Sequence, residues 1–427
     1  MTSGTTRDHL GRPVVAVTGF GIITSLGQGK DDNWRELSAG TSGVHAITRF
    51  PTEGLKTTIG ATVDYAVEAP FSSPELSERL AAIAAEEAIA QSGIGSKGDF
   101  PGPLVMAVPP LELEWPQRIG LAEESGLETV VYDDLLATAA KHEHKNYHEL
   151  FLFAGVAART ADRFGTKGSP ISLSTACSSG ATAIQIAVEE IRRGKSQAAL
   201  AIGTDGSVQV EALVRFSLLS ALSVRNDPPE EAARPFCKDR DGFVMGEGAG
   251  ALVLEDYDHA KARGAEILAI VSGCGEKGDG FHRTRSSPDG RPAMRAMQIA
   301  VEDAGLSPDD IDYINAHGTS TPENDKMECM SCMEVFGDRM KQLPLSSNKS
   351  MVGHTLTAAG AVEGVFSLMT ILEQRLPPTI NHVTPDPAIE LDVVPNTARD
   401  AKVERVLSNS FGFGGQNTCL VFAAEPQ

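Results

Sequence analysis

Apolar runs alternate with helical patterns along the chain, which predicts an α/β protein whose strands are buried. Strands are predicted at residues 14–19, 103–108, 171–173 and 198–203, with two short strands within 242–255. Helices are predicted at residues 30–38, 80–91 and 181–193, with further helical patches within 111–165. Gly93 and Gly194 follow two of these helices and suit their C-terminal ends.

The same pattern begins again near residue 266. Residues 266–273 repeat the first strand, 300–306 repeat 88–94, and 343–350 repeat the segment around Cys177, with Lys349 at the position of the cysteine. This predicts two similar α/β halves with a site between them, and an insertion of about 40 residues within 110–165. We therefore predict the following organisation: a flexible tail at 1–12, an N-terminal half at 13–265 and a C-terminal half at 266–427.

Cys177 lies in a turn of small residues between the strand at 171–173 and the helix at 181–193. The free N–H groups and the positive end of the helix dipole favour a thiolate there and can hold an oxyanion. A buried cysteine that fills a small gap is the structural alternative. The turn therefore offers a candidate nucleophile, which needs support from other residues.

Two histidines follow strand ends in the second half. His317 comes just after the predicted strand Ile311–Ile314, and His354 lies at a second strand-to-helix turn that also carries Lys349. Ligands gather at the carboxyl ends of strands in open α/β sheets, so these three side chains and Cys177 are expected to converge. A core histidine bonded to backbone is the alternative for His317.

A helix beginning near Pro322 carries Asp325 and Glu328 on one face, so either could neutralise a buried Lys349. In the later segment 408–417, glycines would let backbone N–H groups approach a ligand closely. No metal site is predicted: Cys329 and Cys332 lack a second pair, and the His-rich tract 141–148 fits a solvated helix or loop. The glycines at 246–250 precede a strand and do not fit a dinucleotide site.

Composition narrows the range of partners. The chain has 427 residues and a formal charge of −20, which argues against nucleic acid or an anionic membrane. No apolar stretch approaches the ~20 residues that a membrane helix needs, and residues 1–10 lack a signal-peptide pattern. Six irregularly spaced cysteines indicate reduced thiols, so a cytoplasmic location is expected.

With these segments assembled, the chain resembles the condensing enzymes of the thiolase superfamily, and among them the β-ketoacyl-acyl carrier protein synthases of types I and II. The similarity runs from about Val14 to Phe422 and is densest in residues 175–180, 315–322, 348–354 and 409–415. It implies an α/β fold, the five-layer αβαβα sandwich of two duplicated halves. It also implies a homodimer that works without a cofactor on the acyl and malonyl forms of an acyl carrier protein.

The resemblance further implies a decarboxylative Claisen condensation in fatty acid elongation, of the synthase II kind. Cys177 would carry the acyl group, and the N–H groups of Cys177 and Phe413 would form the oxyanion hole, with Phe413 gating the acyl pocket. Neutral His317 and His354 would donate hydrogen bonds to the malonyl thioester oxygen. Lys349 is expected to pair with Glu328 and support the histidines, and Asp325 and Thr319 to belong to the same polar network.

The chain also departs from the family pattern. Residues 108–115 replace a Gly-rich run that lines the acyl pocket, and residues 72–76 and Ser220 replace basic residues that dock the carrier. Candidate replacements for docking are Arg192, Arg193, Lys195 and Lys141. A specialised carrier or an unusual acyl chain is the hypothesis that follows. Three alternatives stay open: a polyketide-type ketosynthase, a Cys–His hydrolase and a non-catalytic chain-length partner subunit.

Overall fold

The computed structural model describes residues 6–66, 71–141 and 144–425. The strands are β1 Val15–Thr24, β2 Gly27–Gln28, β3 His45–Ala46, β4 Ile59–Gly60, β5 Leu104–Ala107, β6 Ile171–Leu173, β7 Ala198–Asp205, β8 Gly248–Asp256, β9 Ala269–Gly278, β10 Tyr313–Asn315, β11 Leu345–Ser346, β12 Arg375–Leu376, β13 Arg399–Asp400, β14 Arg405–Phe411 and β15 Gln416–Ala423.

The α-helices are α1 Lys30–Ala39, α2 Ser73–Ser92, α3 Trp115–Ser125, α4 Tyr132–Ala139, α5 Lys145–Phe151, α6 Gly155–Phe164, α7 Ser179–Arg192, α8 Val210–Leu218, α9 Tyr257–Ala262, α10 Arg291–Asp303, α11 Pro322–Phe336, α12 Lys349–Val352 and α13 Ala359–Glu373. Gly93 ends α2 in the left-handed conformation, with a φ of 61°, as its position in the sequence predicts.

The strand order shows the duplication directly. One half of the sheet runs β6-β5-β7-β8-β1, and the other runs β11-β10-β14-β15-β9. In both halves the first three strands of that order are parallel and the last two join antiparallel. The two halves join where Ala16 and Val17 of β1 pair with β9. The predicted duplicated α/β fold is thus confirmed.

Helices on both sides of each half-sheet produce the layered sandwich. Helix α2 packs on β1, β7 and β8, and α10 packs on β9 and β15, while α7 and α13 fill the space between the two halves. The central pair approaches closely: a Cβ on Gly180 of α7 would lie 2.4 Å from the backbone nitrogen of Ala361 in α13. Small residues here let the two helices approach each other closely.

The elements differ from the sequence prediction in a few places. Residues 242–255, expected to form two short strands, contribute one strand, β8, which is buried along almost all its length. The insertion expected within 110–165 lies in the connection between β5 and β6, whose described residues form four helices, α3 to α6. In the described chain, the equivalent connection of the other half, between β10 and β11, contains one α-helix, α11. The predicted boundaries at 13–265 and 266–427 stay a prediction.

Residues 1–5 of the proposed flexible tail lie outside the described residues. In the rest of that segment, Arg12 forms ion pairs of 2.7 Å with Asp8 and with Asp303 of α10. One described segment, Leu356–Glu373, is long and apolar enough to cross a membrane by length and composition alone, contrary to the sequence expectation. Because 89% of it is buried inside the protein, it has the character of a core helix.

Candidate active site

Cys177 lies at the entrance of α7, as the sequence predicts. Ala176 before it has a φ of 51°, a strained left-handed conformation that turns the chain sharply between β6 and the helix. The sulfur is buried, and burial raises the pKa of the Cys177 thiol to about 11, although the N–H of Phe413 and the charge of Lys349 lower it. Burial thus acts against the thiolate that the helix entrance was expected to favour.

His317 lies two residues after the end of β10, and its backbone is fixed by Glu328. One carboxylate oxygen of Glu328 accepts the N–H of His317 and the other accepts the N–H of Gly318, each at 2.8 Å. The Nδ1 of His317 lies 3.4 Å from the ammonium of Lys349. Because an ammonium can only donate, Nδ1 is the acceptor and Nε2 carries the proton.

His354 follows α12 and is held in the same tautomer by a different donor. The backbone N–H of Leu356 donates to its Nδ1 at 3.2 Å, which leaves the proton on Nε2. Burial and the charge of Lys349 hold the pKa values of both His317 and His354 well below the usual range. Both rings are therefore neutral at pH 7 and each offers one N–H donor.

The three side chains converge from separate strand ends. One ligand atom from each of Cys177, His317 and His354 lies within 4.8 Å of the other two. The imidazole rings of His317 and His354 lie edge to face, with their centroids 5.4 Å apart. They line a cavity of about 330 Å³ that opens to solvent. A thiol and two N–H donors can thus contact one small substrate together, and the absence of a resident metal stays a prediction.

Lys349 pairs with Glu363 of α13, and not with Glu328 as the sequence suggested. Its ammonium donates to a Glu363 carboxylate oxygen, and both side chains are buried. Burial raises the pKa of Glu363 to about 7, and Lys349 acts against this rise. Glu328 is unsuitable because the backbone of the His317 turn and the amide of Asn409 already occupy its oxygens.

The other predicted supporting residues hold the surrounding loops. Asp325 accepts the backbone N–H groups of Phe236 and Ser320, and burial raises its pKa to about 6 despite the nearby guanidinium of Arg240. Thr319 lines the open cavity, where its hydroxyl lies 2.9 Å from that of Thr321. The structure thus places Asp325 in a loop-fixing network and Thr319 on the wall of the site.

A second cavity of about 220 Å³ begins on the other side of Phe413. Cys177 and Phe413 line both cavities, so Phe413 separates them. Asp205, which the sequence analysis missed, lines the second cavity, and its carboxylate accepts bonds from Thr357 and Ser207. Burial raises the pKa of Asp205 to about 6. The available signal was a charged residue at the end of the apolar strand β7.

The fold and the site together define a condensing enzyme of the thiolase-like class. The chain belongs to the beta-ketoacyl synthase family: residues 12–260 match the N-terminal domain of beta-ketoacyl synthase, and residues 268–383 match its C-terminal domain.

Individual relatives cover nearly the whole chain. It is 38% identical to a Coxiella burnetii protein named 3-oxoacyl-[acyl-carrier-protein] synthase 2, covering 96% of this chain and 98% of that one. It resembles the crystal structure of a beta-ketoacyl synthase from Burkholderia phymatum with a TM-score of 0.83 and 35% identity, and the match covers 97% of this chain and 100% of that one. A type II polyketide ketosynthase, solved with its acyl carrier protein and bound to the hexaketide, gives a TM-score of 0.84 at 31% identity. That match covers 97% of this chain and 100% of the other.

Proposed function

We propose that this chain extends acyl chains in fatty acid synthesis, as a 3-oxoacyl-acyl carrier protein synthase of the synthase II kind. The observation that carries the proposal is the pair of fixed Nε2–H donors of His317 and His354 beside the Cys177 thiol. This arrangement suits a reaction that develops negative charge on a thioester oxygen next to an acylated sulfur.

The first step transfers the acyl group to the enzyme. The sulfur of Cys177 attacks the thioester carbonyl of an acyl carrier protein, the carbon–sulfur bond to the carrier breaks, and the cysteine proton leaves with the carrier thiol. The N–H groups of Cys177 and Phe413, which lie beside the sulfur, are the donors for the tetrahedral oxyanion. The acyl chain then extends past Phe413 into the second cavity.

The second step uses malonyl carrier in the open cavity. The bond from the malonyl α-carbon to the carboxylate breaks, carbon dioxide leaves, and the electron pair forms an enolate whose oxygen accepts from His317 and His354. The enolate carbon attacks the acyl carbonyl on Cys177 and gives the 3-oxoacyl product. The cysteine sulfur leaves as a thiolate and takes up one proton from solvent. Both imidazoles stay neutral throughout, as their lowered pKa values require.

Association of two copies fits the exposed edge of the sheet. Strand β6 is the last strand of its half, and Ile171 on it is exposed. Helices α3 and α4 also expose large apolar side chains, at Trp115, Ile119, Tyr132 and Leu136. An unpaired strand edge and exposed apolar surface each favour association with a second chain. We place the homodimer contact there, in a cytoplasmic enzyme whose six cysteines are all free and buried.

A condensation assay separates fatty acid synthesis from the polyketide alternative, which the similarity to the hexaketide-bound ketosynthase favours. Acyl carriers of several chain lengths are incubated with malonyl carrier, and the products are weighed. The proposal is supported if each unsubstituted acyl chain, delivered on its carrier, gains one malonyl-derived unit. Repeated addition without reduction, giving poly-β-keto chains, would assign the chain to polyketide synthesis. Condensation that survives in Cys177→Ala would instead favour a non-catalytic partner subunit.

A further inference from the structure

One loop at the mouth of the open cavity carries positive charge. This loop, residues 279–287, is held at both ends by Asp279, whose carboxylate accepts the N–H groups of Phe281 and Ser287. It is also tied to the glycine turn beside Phe413: the backbone N–H of Asp279 donates to the carbonyl of Gly415, and that of Gly414 donates to the carbonyl of Arg283, both at 2.7 Å. The mouth loop therefore has a defined position relative to the Cys177 pocket.

Two arginines of the mouth loop face solvent without a counter-charge. Arg283 and Arg285 are exposed, and neither guanidinium has an ion-pair partner within 4.0 Å among residues 6–66, 71–141 and 144–425. Arg285 lines the same cavity as Cys177 and His317, together with the exposed Glu323. These two positive charges belong to a chain whose formal charge is −20.

The arginines and lysines first considered for docking each lie near a carboxylate. Arg192 is buried and forms a 2.7 Å ion pair with Asp303, while Arg193 pairs with Glu189 and Lys195 with Glu190. Lys141 lies 4.0 Å from Glu124. A carboxylate thus lies within 4.0 Å of each of these cations, and their role in docking the carrier stays a prediction.

We propose that Arg285, assisted by Arg283, binds the phosphate group of the arm that carries the malonyl thioester. The inference rests on the proposed function, since it assumes a phosphate-bearing thioester substrate. The cavity of about 330 Å³ suits a slender arm rather than a protein segment. The same cavity is lined by Arg285, Thr319 and Thr321, so a guanidinium and two hydroxyl groups are available to one ligand. A guanidinium fork matches the oxygens of a phosphate in geometry and charge.

The test compares three malonyl donors that share a reacting end. Malonyl-pantetheine has no phosphate, malonyl-phosphopantetheine has one, and malonyl carrier adds the protein. KM and kcat are measured for the wild type, Arg285→Ala, the double variant Arg283→Ala/Arg285→Ala and Arg285→Lys. Arg35→Ala is the matched control, because Arg35 is an exposed arginine on α1 that pairs with Asp32 and does not line the cavity. Thermal unfolding verifies that each variant is folded.

We expect the double variant to raise KM for malonyl-phosphopantetheine and for malonyl carrier by about tenfold, with little change in kcat. KM for malonyl-pantetheine should stay at the wild-type value, and Arg285→Lys should recover part of the loss. Equal losses on all three donors would overturn the assignment, because phosphate would then be irrelevant. A loss confined to the carrier would overturn it in favour of contact with the protein surface. A wild type that condenses none of the three donors would refute the proposed function itself.

Discussion

Lys349 should affect both stability and chemistry, and the two effects can be separated. In Lys349→Met the carboxyl of Glu363 remains buried without its partner. Breaking a buried ion pair in this way costs about 3–5 kcal/mol of unfolding free energy. The cost should lie at the lower end near neutral pH, because burial already raises the pKa of Glu363 to about 7 and the group can take up a proton.

The same variant should slow decarboxylation. Without the ammonium at 3.4 Å, nothing holds the proton of His317 on Nε2, and the ring loses its fixed donor toward the malonyl oxygen. Loss of one such donor lowers kcat by a factor on the order of 10²–10³. Carbon dioxide release from labelled malonyl carrier measures this step, and acylation of Cys177, followed by intact mass, should continue at a rate within a few-fold of the wild type.

The double variant Lys349→Met/Glu363→Gln provides the control. Replacing both charged partners removes the unpaired buried carboxylate, so the unfolding free energy should return to within about 1 kcal/mol of the wild type. Carbon dioxide release should nevertheless stay low. If release recovers together with stability, Lys349 acts through the fold alone, and the tautomer argument is refuted.

Three further predictions follow from burial and packing. Burial raises the pKa of Asp205 from 3.8 to about 6, so the folded state holds a proton that the unfolded state releases. As the pH rises from 4 to 7, the wild type should therefore lose up to about 3 kcal/mol of unfolding free energy relative to Asp205→Asn. Urea unfolding at each pH measures this loss. Alkylation of Cys177 by iodoacetamide should accelerate steadily from pH 7 to 10, since its pKa is about 11; a plateau near pH 7 would contradict this. Gly180→Ala should lower stability by about 1–3 kcal/mol through the contact with α13, whereas Gly278→Ala, which has open space around it, should not.

The sequence predicted the reacting groups well because each lies where an apolar strand ends. Cys177, His317 and His354 could be placed at strand ends from local pattern alone, and the duplication explains why those ends share one seam. The ion-pair partner of Lys349 was harder to predict. Glu328, on the helix predicted to begin near Pro322, was an available carboxylate, but its oxygens bind backbone N–H groups, an arrangement that only the folded loop reveals.

Other properties depend on contacts between distant segments. Glu363 could have been suspected as the partner of Lys349, because it is a carboxylate within an otherwise apolar stretch of α13. The raised pKa of the Cys177 thiol could not be predicted from its position at a helix entrance, because the rise comes from burial. The uncompensated charge of Arg285 likewise became visible only when the ion pairs of the other cations were known.

The most direct test of the account is the intact mass of the enzyme after exposure to an acyl carrier substrate. We predict a mass increase equal to one acyl group, located on the peptide that contains Cys177. This label should remain stable until malonyl carrier is added, and should then leave as a 3-oxoacyl product with one carbon dioxide. No label on Cys177, or a label that water removes before malonyl carrier is added, would contradict the account.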